Sequence, residues 1–179
     1  MKRVILLALA VVAVPADTNA QSIENALAAA PARGRDAVTV VKWNANYTWE
    51  TVKEGTNGMV CYDRSGEPGR APFDVQCTTL GNLSRVAQNR RFATEGADRE
   101  AVGALVSAAD ANGTRVEAEY GSIWITMRGD DQASARSHRT IAIPGATMAS
   151  SGFPENGRSG GAWIMAAGTS EAHLMIPGT

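Results

Sequence analysis

The chain has 179 residues, of which 44% are hydrophobic and 20% charged, and a formal net charge of −1. That suffices for one globular domain with a real core and is too little for two. There is no basic excess to hold a phosphate backbone, so no nucleic acid is expected as a partner. Two cysteines and two histidines exclude a four-thiolate zinc module and a multi-histidine centre, and neither a metal nor another cofactor is expected.

Met1-Lys2-Arg3 puts positive charge ahead of an unbroken apolar run from Val4 to Val14. Pro15 ends the run, and Thr18-Asn19-Ala20 places small residues before Gln21. A charged start, a short apolar run and a small-residue exit make residues 1–20 a signal peptide, cleaved after Ala20. A membrane anchor would need about 20 apolar residues. No second long apolar stretch follows, so the expectation is a periplasmic or secreted protein with no stable membrane insertion after cleavage.

Residues 21–36 form an N-terminal segment with a short helix from Ser22 to Ala30, stopped by Pro31. Residues 37–179 read as a single α+β domain. Its β-branched opening, Ala37 to Trp43, predicts a strand. A second strand-like run reaches Glu54. Asn57-Gly58 then predicts a tight hairpin turn into Met59-Val60-Cys61-Tyr62, since both turn residues must tolerate positive φ. Cys61 and Cys77 flank a Gly/Pro-rich segment that reads as a loop. In an oxidising compartment, and without Cys-x-x-Cys spacing, the pair is expected as a structural disulfide rather than a reactive dithiol. Closing that loop is worth about 3 kcal/mol on the chain-entropy account.

A short helical piece spans Leu83 to Arg91, and the main helix spans Asp98 to Ala109, with acidic residues in its first turn and Asn112-Gly113 as its stop. From Arg115 the period becomes two: Val116, Ala118 and Tyr120 alternate with charged residues. Gly121-Ser122 would then turn into a strand at Ile123–Met127. Gly129 to Ser137 reads as a loop, Thr140 to Ile143 as a short strand, and Met148 to Gly161 as a long surface loop. A final hairpin joins Ala162–Ala166 to Ala172–Ile176. The fold class is α+β, an antiparallel sheet with one main central helix packed on it and a single disulfide.

Two segments also carry a resemblance. Glu54-Gly55-Thr56-Asn57-Gly58 followed by Cys61 and Cys77, together with Ala172-His173-Leu174-Met175-Ile176-Pro177, resemble a family of exported bacterial proteins with no assigned chemistry. There an EGTNG hairpin leads to a cysteine pair and the chain ends near an AHLM-type strand. Tyr120 to Asp131 and Gly160 to Met165 are similar too, whereas Leu80 to Gly113 departs from the pattern. The resemblance implies export and a shared fold, and no reaction.

Candidate sites are sparse. Gly157-Arg158-Ser159-Gly160-Gly161 matches G-x-S-x-G, but a nucleophile elbow needs a strand before it and a helix after it, so a glycine loop is the better reading. His173 lies in an apolar strand, where imidazole serves as acid, base or ligand, or is simply satisfied by a backbone group. It becomes a catalytic candidate if the Glu54-to-Asn57 turn folds beside it, since a carboxylate can orient the ring. Asn57 and Trp163 are the remaining binding candidates. Asp110, Asp130 and Asp131 lack the spacing of a calcium loop. The leading expectation is therefore an exported binding or envelope-associated accessory domain, its partner a small molecule or an envelope protein. The alternative is a small periplasmic hydrolase or isomerase using His173 with Glu54 or Ser159.

Overall fold

The computed structural model describes residues 18–177, with side chains from Ser22 onward except that of Ser159. The charged start and apolar run of the expected signal peptide, in residues 1–17, lie outside the described residues. The helices are α1 (Thr18–Leu27), α2 (Leu83–Glu95), α3 (Arg99–Ala111) and α4 (Met148–Ser151). The strands are β1 (Thr39–Trp43), β2 (Trp49–Lys53), β3 (Met59–Asp63), β4 (Phe73–Thr79), β5 (Ile123–Gly129), β6 (Arg136–Ala142), β7 (Trp163–Met165) and β8 (His173–Met175). They form one sheet in the order β2-β1-β3-β4-β5-β6-β8-β7. Neighbours are antiparallel except β1 and β3. The expected α+β class holds, and so does the single disulfide.

The parallel pair corrects the expected hairpin. The EGTNG segment does not fold β2 back onto β3. It carries the chain across the N-terminal end of β1, which lies between them. Thr56 N–H and Asn57 N–H both donate to Ala37 O, at 2.7 and 3.1 Å. Gly55 lies so close beneath this end that a Cβ there would sit 2.3 Å from Thr39 N and 2.4 Å from Val38 C. Gly58 has φ +75 and open space around it, so there it is the backbone conformation that favours glycine.

Each face of the sheet carries a helix. On one, Ala26 of α1 and the following Ala29 and Ala30 are buried against Val40, Val75 and Ile125. The segment that reads as separate from the domain thus supplies part of its core. Cys61 and Cys77 face each other in the β3–β4 register on this side, fully buried and joined as a disulfide. On the other face Leu83 and Val86 of α2 cover Val41, Val60 and Tyr62. Helix α2, read as the shorter piece, therefore lies on the sheet, while α3 is capped by Asp98 through Ala101 N–H and buries only Ala109 among its described residues. A third cluster joins Ile141, Ile164 and Leu174 to Ile143, Ala146 and Ala172 in the loops flanking the last strands.

The alternating run 115–120 is not a strand. Its backbone groups bond to side chains from α2 and the turn before it. Gln88 Nε2 donates to Thr114 O at 2.8 Å, and Gln88 Oε1 accepts from Val116 N–H at 2.9 Å. Arg85 Nη1 donates to Val116 O, and buried Asn82 accepts from Glu119 N–H at 2.8 Å. A row of polar side chains replaces a strand partner, which satisfies the buried backbone equally well. Strand β6 also starts earlier than expected, because Arg136 and His138 are exposed and leave no apolar signal.

Candidate functional site

The register decides which predicted residues meet. Directly paired residues on neighbouring strands share a face, so Trp124, Thr140, Met175 and Trp163 form one cross-strand row, and Ala142, His173 and Met165 the next. This is the α2 side, since Trp124 packs against the α2 cluster. His173 is half-buried there, and its Nδ1 lies 2.7 Å from Glu171 O. With Nδ1–H donated to that carbonyl, Nε2 is the acceptor end of the ring.

Glu54 does not reach it. Glu54 sits where the chain leaves β2 to pass β1, and β3, β4, β5 and β6 separate β1 from β8. At about 4.8 Å per strand this is roughly 24 Å. Asn57 is spent on the crossover: its Nδ2 donates to Gly34 O and its Oδ1 accepts from Met59 N–H, both at 3.0 Å. Ser159 ends a short 3-10 turn ahead of β7, and its side chain lies outside the described residues. That turn precedes Trp163, which pairs with Met175, whereas His173 pairs with Met165 at the other end of the strand. Trp163 packs its indole against Gly157, where a Cβ would lie 2.9 Å from Nε1.

The structure assembles a different group around His173. A cleft of about 200 Å³ opens between α2 and the sheet, floored by Trp124, Thr140 and His173 and walled by Arg85, Asn89 and Glu171. Arg85 and Arg115 are withdrawn from water, with side chains 4% and 2% exposed, while their shared carboxylate Glu171 is 48% exposed. Glu171 Oε1 lies 3.6 Å from Arg85 Nη2 and 3.1 Å from Arg115 Nη2. Arg115 also donates to Gln88 Oε1 and Asn89 Oδ1, at 2.6 and 2.7 Å. Arg85 Nη2 donates to Ser170 O at 3.2 Å.

Among the described residues Glu171 is the only carboxylate within 4 Å of either guanidinium, and Asp110 and Glu117 add weaker countercharge from further away. Burial, reinforced by the neighbouring Arg115, pushes Arg85 down to about 10. Burial lowers Arg115 as well, against the opposing pull of Glu171. Both remain charged at neutral pH. Direct ion pairing is thus limited to one carboxylate that the two guanidiniums share, and a second anion at the cleft would add to it. Ser170, also lining the cleft, has a buried Oγ with no hydrogen-bond partner among the described residues.

The sequence reading allows Trp124, like Trp43, Trp49 and Trp163, to line an apolar or carbohydrate-binding cleft, but it missed Arg85, Arg115 and Glu171. A signal was present: Arg85 and Gln88 fall among Leu83 and Val86, where an amphipathic helix would carry apolar side chains. No group of histidine, cysteine, aspartate and glutamate suited to a metal ion occurs among the described residues. No protein-family model, curated protein or solved structure matches this chain.

Proposed function

We propose that this protein is an exported binding domain whose cleft beneath α2 takes a small carboxylate-bearing ligand. One observation carries the reading: two buried guanidiniums share a single half-exposed carboxylate at the wall of a cleft. Arg85 lines the cleft and is held in place through Nη1 to Val116 O and Nη2 to Ser170 O, so it offers an incoming carboxylate a fixed positive charge. Trp124 gives the floor apolar surface, and Ser170, Asn89 and His173 supply polar groups, the usual make-up of a small-molecule site. Export is supported by the buried disulfide, which belongs to oxidising compartments, and by the resemblance to exported bacterial proteins. No helix among the described residues is long and apolar enough to cross a membrane.

The test is an NMR titration with acetate, benzoate and galacturonate, following the Arg85 Nε–H and Trp124 indole signals. Saturable shifts confined to these groups and to His173 support the cleft. Shifts of the other indoles alone, or none up to millimolar ligand, refute it.

A further inference from the structure

The open face of the sheet continues past the cleft. Thr126 pairs with His138, and Arg128 with Arg136, so these four share the α2-side face with Trp124 and Thr140. Arg128, Arg136 and His138 are exposed. Two arginines directly opposite on adjacent strands repel each other and weaken the pairing. Asp74, the next residue in the same row, does not neutralise them: it pairs with Arg64, whose Nε donates to it at 2.9 Å. Among the described residues no carboxylate lies within 4 Å of Arg128 or Arg136. The arrangement carries a cost in the free protein that an anion across both guanidiniums would remove.

From Trp124 to Arg128 the strand runs about 14 Å, at roughly 3.4 Å per residue. Positive charge thus stands at both ends of a track, Arg85 at one and Arg128–Arg136 at the other, with hydroxyls of Thr126 and Thr140 and the Trp124 ring between.

We propose that this face binds a linear anionic oligosaccharide of the uronate kind, one sugar in the cleft and the following ones along β5 and β6 to Arg128 and Arg136. The proposal rests on the cleft reading for its first subsite. The chemistry matches at each step: carboxylates meet guanidiniums, ring hydroxyls meet threonines, and the flat face of a pyranose lies on indole. A membrane surface is a poorer fit, because α2 stands beside the floor as a wall about 10 Å high. An extended peptide fits less well too: the stretch of β6 that β8 leaves unpaired, Arg136–Arg139, is an edge of the sheet, whereas the track runs over the face that carries Trp124, Thr126 and Arg128.

Calorimetry at low salt tests this with galacturonate, tetragalacturonate, neutral cellotetraose and hexa-aspartate, on the full processed protein and on a Arg128→Ala/Arg136→Ala variant. The tetramer is expected to bind at least tenfold tighter than the monomer, and cellotetraose at least tenfold more weakly than tetragalacturonate. The double variant should bring the tetramer to the affinity of the monomer, leave monomer binding unchanged, and keep or slightly raise the melting temperature. A tetramer no tighter than the monomer overturns the track while leaving the cleft intact. So does a double variant that binds it like the parent, or hexa-aspartate binding equally well. Tetramer binding that depends on Arg128 and Arg136 without any monomer binding upholds the track and overturns the cleft reading. Binding of neither sugar overturns both.

Discussion

The EGTNG segment offers a sharp test of the topology, because its glycines are required for different reasons. In Gly55→Ala the new Cβ meets backbone: Thr39 N at 2.3 Å, Val38 C at 2.4 Å and Ala37 O at 2.5 Å. Real Cβ contacts to such atoms are an ångström or so longer, and no flexible side chain is there to yield. The crossover must lift away from β1, which breaks the bonds from Thr56 N–H and Asn57 N–H to Ala37 O. At about 1 kcal/mol each, plus about 1–3 kcal/mol for the overpacking that remains, the expected loss is about 3–5 kcal/mol. For a chain of this size that corresponds to a fall in Tm of roughly 6–20 °C. Gly58→Ala meets nothing within 4 Å and has only its φ of +75 to overcome, about 1–2 kcal/mol. Urea and thermal denaturation of the two variants, followed by circular dichroism, compare them directly. A β2–β3 hairpin would make the turn glycine Gly58 the more sensitive position. Equal losses, or a larger loss at Gly58, would refute the crossover.

Replacing both Cys61 and Cys77 by alanine should cost about 3 kcal/mol through loop entropy alone, read from urea midpoints. Because both sulfurs are fully buried, alkylation under reductant should be slow until the protein unfolds. Asn82→Ala removes an amide that reaches Thr78, Thr79 and Ser122 and accepts from Glu119 N–H. A loss of about 2–4 kcal/mol is expected for this buried hub, with hydrogen exchange at Glu119 rising more than at β3. Asp131 accepts from Ser134 N–H and Ser134 Oγ, which holds its carboxyl below the usual range. Its folded pKa is depressed, so its contribution is present above about pH 4 and is lost as the pH falls through the folded value. The Tm gap between the parent and Asp131→Ala should accordingly be widest near pH 7 and narrow as the pH falls below about 4.

Residues 115–120 show where a one-dimensional reading stops. The alternation of Val116, Ala118 and Tyr120 predicts a strand with an apolar side, yet Arg115 is the buried residue of the run and Tyr120 is 71% exposed. Periodicity, however, carries no record of what satisfies the backbone, and here Arg85, Gln88 and Asn82 do so in place of a strand. The Asn-Gly signal is equally local. It marks a change of direction at Asn57-Gly58, while the contact of Gly55 with Val38 and Thr39, which shows β1 lying between β2 and β3, is a relation between distant parts of the chain. The same holds for His173. Its half-buried strand position and its backbone bond were within the range of the local reading, but pairing it with Glu54 required a proximity that the strand order forbids.

Local chemistry was sufficient for whatever depends on near neighbours: the terminal hairpin of β7 and β8, the helix capped by Asp98, and a cysteine pair bracketing a Gly/Pro-rich loop. The cleft belongs to another level. Arg85 comes from α2, Glu171 from the turn before β8 and Trp124 from β5, while Arg115, which shares Glu171 with Arg85, comes from the segment after α3. No spacing along the chain links them, because their meeting follows from strand order and from the side of the sheet on which α2 packs. A buried pair of guanidiniums sharing one carboxylate is a property of a volume from which water is withdrawn, and that volume exists only once the chain has closed around it.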